Sequence, residues 1–296
     1  MIRLIKNWML PIAMLTGSIF YSLFGALSFL TPVLIFTMLL LTFSKLSPKT
    51  LRFTPLHCWL LAIQILGSLA VYLALAPFNP IVAQGVMICL LAPTATAAAV
   101  ITGMLGGDIS FVTSFVFASN LGVAVVAPVL FSYVGTTNDM PFIHSFLYIC
   151  KEVIPLLMAP LLVAWTIRFW FPRLQEKVTS LSGLSFYIWA LALAIVTGKT
   201  VKFLVEQDHP NYDTEIWVGV GSLVICVLQF YVGKKIGARY GNRIAAGQSL
   251  AQKNTILAIW MSHIYLNPIA SIGPASYVLW QNTINSYQLW KKRKVS

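Results

Sequence analysis

Charge is what this chain has least of. Asp, Glu, Lys and Arg together make up 9% of its 296 residues, and only eight residues are acidic. A soluble domain carries about 25% charged residues, so this chain lacks the polar material to cover itself in water. Cysteine is also scarce. Cys58, Cys89, Cys150 and Cys226 stand singly, without a CxxC or CxxxH spacing, which argues against a disulfide framework and a zinc site. No nucleophile–base pair, phosphate loop or metal-ligand spacing is present. The expectation is therefore no enzyme, no catalytic residue, no metal and no cofactor, with the Ser and Thr residues serving helix packing.

What the chain has is apolar length. The AVILMFWYC set makes up 58% of it, in runs too long for buried core strands, so the solvent implied is lipid. The fold class expected is an all-α membrane protein of ten transmembrane helices, read at 9–27, 29–44, 56–76, 81–105, 109–134, 143–171, 184–204, 215–236, 244–266 and 268–290. The N-terminal stretch imitates a signal peptide. Because the next apolar run follows at Phe29 with almost no polar gap, it reads as an uncleaved first helix.

The net charge of +12 suggests nucleic acid until the basic residues are placed. Sixteen of the 20 Lys and Arg fall in five segments on one side of the ten spans. These segments hold Arg3 and Lys6; Lys45, Lys49 and Arg52; Arg168, Arg173 and Lys177; Lys234, Lys235, Arg239 and Arg243; and Lys291, Lys292, Arg293 and Lys294. The opposite loops hold none, and one of them carries Glu206, Asp208, Asp213 and Glu215. This asymmetry predicts an inner-membrane protein with both termini cytoplasmic. The partner it implies is the bilayer, with no nucleic acid.

Two spans are interrupted at the same ordinal place in each half. Ala92-Pro93-Thr94-Ala95-Thr96 cuts the fourth, and Gln248, Ser249, Gln252, Lys253 and Asn254 bring five polar side chains into the ninth. Paired interruptions of this kind are expected of inverted-repeat transporters. Two five-helix repeats, about 1–137 and 140–296, with helices 4 and 9 broken, would form one transporter domain. An odd number of helices per half forces the halves into opposite orientation.

Lys253 is the most informative residue. A cation at a helix centre costs about 2.5–3.5 kcal/mol on insertion scales, and roughly ten residues of the span flank it on each side, which makes snorkelling awkward. Pro93 reads equally as a kink repaired by threonine back-bonding and as a break whose following half-helix presents N–H groups to an anion. Gln64 is an isolated amide that suits an interhelical hydrogen bond as well as a site. His263 reads as a packed histidine in preference to a proton relay. Gly106-Gly107-Asp108 reads as a tight turn with an aspartate N-cap. Lys199 and Lys202 read as snorkelling residues or as an anion-attracting vestibule.

At these residues the chain resembles the bile acid:sodium symporter superfamily, which includes bacterial organic-anion carriers. The likeness runs from Pro32 to Trp290. It is carried by Leu91-Ala92-Pro93-Thr94-Ala95-Thr96-Ala97, Gly107-Asp108, Gln252-Lys253-Asn254, Asn267-Pro268, Gly273-Pro274 and Trp280-Gln281-Asn282. The Pro-Thr-Ala motif is also similar to auxin-efflux-type carriers, which fit the C-terminal third less well. The resemblance implies a core of helices 3–5 and 8–10 moving against a panel of helices 1, 2, 6 and 7. It also implies that helices 4 and 9 cross. Thr94, Thr96, Lys253 and Asn254 are the substrate contacts expected at that crossing, and by the resemblance Gln281 and Asn282 would line the inner cavity of the substrate site.

Gln64, Gln248 and Gln252 would be remnants of the ion sites. Where sodium-using members place Ser/Asn, hydroxyls and a glutamate, this chain has Ala98 and Ala99, Val112 and Val116, and Gln248. Alanine and valine side chains offer sodium no oxygen. Losing a glutamate and gaining Lys253 changes the local charge by two, as much as two bound monovalent cations would supply. The expected function is secondary transport of a small organic anion, sodium-independent, with Lys253 as the fixed countercharge. Coupling to protons and exchange of one anion for another both remain open. The alternatives are a sodium-coupled symporter using backbone carbonyls with Gln64 and Gln252, and a non-transporting membrane sensor of the same fold.

Overall fold

The computed structural model describes residues 2–135, 141–208 and 210–295. The expected repeat junction at 137–140 lies outside them, as do the side chains of Arg3 and Lys6. In chain order the helices are Ile2–Ile19 (α1), Tyr21–Ala26 (α2), Thr31–Phe43 (α3), Pro55–Leu75 (α4), Pro80–Leu91 (α5), Ala97–Leu105 (α6), Ile109–Val134 (α7), Phe142–Trp170 (α8), Pro172–Ser180 (α9), Ser185–Glu206 (α10), Tyr212–Ala238 (α11), Arg243–Ala251 (α12), Thr255–Tyr265 (α13) and Ile272–Val295 (α14).

Six helical stretches among the described residues are long and apolar enough to cross a membrane. Their large side chains stay exposed, as at Phe29, Leu66, Leu73 and Trp217. Apolar surface on that scale belongs against lipid, and the protein is membrane-embedded.

The span 109–134 coincides with α7, and 56–76 and 143–171 lie one residue from α4 and α8. The span 81–105 is two helices, α5 and α6, and 244–266 is likewise α12 and α13. Two spans differ from expectation. The first helix reaches back to Ile2 and breaks after Ile19. The last opens with a 3-10 turn at Pro268–Ser271, and α14 runs on to Val295. Lys292, Arg293 and Lys294 occupy its final turn, where cations favour the negative end of the helix dipole.

The chain forms two compact units. The first comprises residues 1–47 and 152–210, that is, α1–α3, α8 from Glu152 onward, α9 and α10. Here α1 packs against α10 through glycine. A Cβ on Gly17 would stand 2.3 Å from the Ala194 carbonyl oxygen, and one on Gly198 would stand 3.1 Å from the Gly17 oxygen. Small residues let membrane helices approach this closely.

The second unit comprises residues 48–151 and 211–296. It holds α4–α7 and α11–α14, with a buried apolar centre that includes Val86, Leu90, Cys226, Phe230 and Tyr277. It has its own close crossing, where a Cβ on Gly273 would meet the Gly85 oxygen at 2.4 Å. Between α6 and α7, Gly106 adopts φ 80° and the Asp108 carboxylate accepts from Phe111 N at 3.0 Å. This is the tight turn and N-cap expected of Gly106-Gly107-Asp108.

A Gly17→Leu substitution is expected to destabilise the first unit by about 1–3 kcal/mol through overpacking. Gly183→Ala, with nothing within 4 Å of the new Cβ, should leave stability nearly unchanged. Thermal unfolding in detergent checks this, and equal midpoints for the two variants would refute the close crossing.

Candidate functional site

The two interruptions lie within the second unit, and they meet. Thr94, in the break between α5 and α6, and Lys253, in the break between α12 and α13, form an isolated antiparallel bridge. Proline explains the first break, because Pro93 cannot donate and its ring disfavours the preceding turn. The second break has no proline. There, polar side chains and extended backbone at Gln252 (φ −86°, ψ 94°) are held by partners from other helices.

The bonds at the bridge come in matched pairs. Ala95 N donates to Gln252 O and Asn254 N donates to Pro93 O, both at 2.8 Å. The Thr94 hydroxyl donates to Ser249 O at 2.6 Å, and the Lys253 Nζ donates to Leu90 O at 2.8 Å. Each bridge residue thus caps the carbonyl four positions before its counterpart. Thr94 N donates to Ser119 Oγ of α7 at 3.0 Å, while Lys253 N donates to Gln281 Oε1 of α14 at 2.9 Å. Exchanging one break for the other maps each of these bonds onto its pair.

The last carbonyls of α5 are fully accounted for. Gln229 Nε2 reaches Cys89 O at 3.3 Å and Lys253 takes Leu90 O. The Gln64 amide donates to Leu91 O and Ala92 O at 2.8 and 2.9 Å, and its oxygen accepts from Ser119 at 3.0 Å. The amide orientation follows from this network. Gln64 is therefore both the interhelical bond and a part of the site, two readings that its sequence context left open. Thr94 bonds across to the other break and not back along its own helix, so the simple repaired kink does not apply.

A stripe of polar side chains on α14 supports the other break. Tyr277 OH donates to Ala251 O at 2.8 Å and accepts from Gln229 at 2.9 Å. Gln281 brackets the Lys253 backbone through both ends of its amide. Asn285 accepts from Gln248 Nε2 at 2.8 Å and donates to Gln252 Oε1.

Lys253 does not snorkel, since only 1% of its surface is exposed. The single ion pair found among the described residues is Lys202–Glu206, so no carboxylate lies within 4 Å of the Lys253 amine.

Of the expected contact set, Thr94, Lys253, Asn254 and Gln281 are buried together at the bridge, and Asn254 caps the start of α13. Thr96 and Asn282 are half-buried, and the Asn282 amide folds back onto Val278 O of its own helix. Thr96 stands at the N-terminus of α6, which has no side-chain cap. Gln64, Gln248 and Gln252 are all buried at the site. His263 is half-buried in α13.

Reading the sequence missed Ser119, Gln229, Tyr277 and Asn285. For α14 a signal existed, because Tyr277, Gln281 and Asn285 recur at four-residue spacing in an apolar span, which puts them on one face.

The chain matches no family model and no curated protein.

Replacing Thr94 by Val is expected to orphan Ser249 O and lower stability by about 1–3 kcal/mol, while Thr94→Ser keeps the bond. Tyr277→Phe should cost a similar amount by freeing Ala251 O. Unfolding midpoints in detergent decide, and a Val variant as stable as the Ser variant would contradict the capping role.

Proposed function

We propose that the protein is a secondary transporter of a small organic anion, sodium-independent, built as ten spans in two inverted five-helix repeats. In this reading the broken helices, α5–α6 and α12–α13, are the fourth and ninth spans. Both termini are cytoplasmic and the membrane is the inner one. Access to the crossing alternates as the core of helices 3–5 and 8–10 rocks against helices 1, 2, 6 and 7. The paired hydrogen bonds that exchange when the breaks are exchanged support the repeat relation. The resemblance to the bile acid:sodium symporter superfamily supports the class of substrate.

The observation that carries the reading is a buried cation without an acid. A helix end carries a partial charge of about 0.5, positive at the N-terminus and negative at the C-terminus. The crossing brings together two C-terminal ends (α5 and α12) and two N-terminal ends (α6 and α13), and these roughly cancel. The Lys253 ammonium remains as about one positive charge. An unpaired buried charge is strongly unfavourable, and a monovalent organic anion would complete it. Half-buried Thr96, at the N-terminus of α6 where no side chain caps the helix, offers such an anion its hydroxyl.

The occupancy of α5 supports sodium independence. Lys253 Nζ and Gln64 Nε2 already donate to Leu90 O, Leu91 O and Ala92 O, the carbonyl end that would otherwise suit a cation. One observation favours the sodium-coupled reading. Gln248 Oε1 and Ser249 Oγ are buried acceptors without hydrogen-bond partners.

A thermal-shift screen of carboxylates and sulfonates on wild type and Lys253→Ala tests the proposal. At least one anion should stabilise the wild type, by about 2.7 kcal/mol at a hundred times its Kd, and the variant should lose most of that response. In proteoliposomes, uptake of that anion should be equal in sodium and choline buffers. An anion response that survives Lys253→Ala would sink the countercharge, and strong sodium stimulation would select the symporter.

A further inference from the structure

The first unit carries a feature that transport does not use. A recess of about 570 Å³ is lined by Trp170, Phe171, Pro172, Arg173, Leu174 and Lys177, within the range of small-ligand pockets, roughly 300–1,000 Å³. It lies where α8 ends and α9 begins.

The local sequence explains its shape. Phe171 leaves the helical run of α8, and Pro172 opens α9 at a position where its missing N–H is harmless. The short α9 is sided. Gln175 and Thr179 form one face, bonded to each other at 3.0 Å, and Gln175 also donates to Ser44 O at the end of α3 at 3.3 Å. Arg168 Nη2 donates to the same carbonyl at 2.9 Å. This double contact fixes the start of α9.

Helical spacing then puts Arg173 and Lys177 together on the side away from Ser44. Both are exposed, and neither has a carboxylate within 4 Å among the described residues. Like charges four residues apart disfavour a helix in isolation, so the pair is held by the anchor and not by mutual attraction. Around it, Phe169, Trp170, Phe171 and Leu174 are exposed, the composition of a membrane–water interface.

We infer that this recess binds the headgroup of an anionic phospholipid, with Arg173 and Lys177 on the phosphate and Trp170, Phe171 and Leu174 against the glycerol and upper acyl chain. Two unpaired cations beside exposed aromatic rings complement an anion that carries an apolar tail, and a free phosphate would use only half of the lining. The inference rests on membrane embedding and is independent of whether Lys253 serves transport.

The test is native mass spectrometry of the full chain in detergent after incubation with equimolar phosphatidylglycerol and phosphatidylcholine. Wild type should retain the anionic lipid preferentially, and each charge removed should cost about fivefold. Retention should therefore fall at least tenfold in the double variant Arg173→Gln, Lys177→Gln and persist in Arg173→Lys, Lys177→Arg. A control that removes two other exposed charges, Lys291→Gln with Lys294→Gln, should retain the lipid as wild type does. Equal retention of the two lipids by wild type, loss in the control as large as in the Arg173/Lys177 variant, or displacement of the lipid by millimolar inorganic phosphate would each overturn the assignment.

Discussion

A helix broken inside a bilayer strands its terminal carbonyls and amides where no water can reach them, and each unsatisfied group there costs several kcal/mol. The second unit is organised around that constraint. Its two broken helices cross so that each supplies what the other lacks: Asn254 N for Pro93 O, Ala95 N for Gln252 O, the Thr94 hydroxyl for Ser249 O and the Lys253 amine for Leu90 O. Further backbone groups of the two breaks are met from neighbouring helices by Gln64, Gln229, Tyr277 and Gln281. Remove the crossing and neither break could persist at depth.

The same constraint gives Lys253 two roles at once. As a donor it closes the carbonyl end of α5, as Thr94 closes that of α12. As a charge it exceeds what a capping group needs, because a hydroxyl performs the equivalent task on the other side. That excess is what the proposed transport draws on. A neutral cap would leave the four helix ends in rough electrostatic balance, whereas an ammonium adds a positive charge to the crossing, which is the charge the proposed anion transport relies on.

In the first unit the governing contact is steric. Gly17 and Gly198 bring α1 and α10 to a separation that a Cβ would prevent. A polar anchor stands at its edge, where Ser44 O receives both Arg168 and Gln175. The basic recess lies beside that anchor, on α9, which buries none of its residues and presents Arg173 and Lys177 outward.

Much of this was legible in the residues themselves. Runs of apolar side chains mark where the chain must be helical in lipid, so the spans at 56–76, 109–134 and 143–171 needed no tertiary information. Pro93 and the polar run through Asn254 marked the two interruptions, and the depth of Lys253 within its span marked it as non-accidental. The bridge was not legible. Partners such as Ser119 and Gln229 are polar residues in otherwise apolar helices, and their meaning depends on which neighbour they face. Hydrophobic periodicity is silent on that in a membrane, where the lipid face and the buried face are equally apolar. The sequence alone determined that the chain lives in lipid and breaks two of its helices. Only the tertiary structure decided that the breaks pair residue for residue and that the Lys253 amine turns onto the end of α5, because those outcomes depend on hydrogen-bond geometry between segments some 160 residues apart.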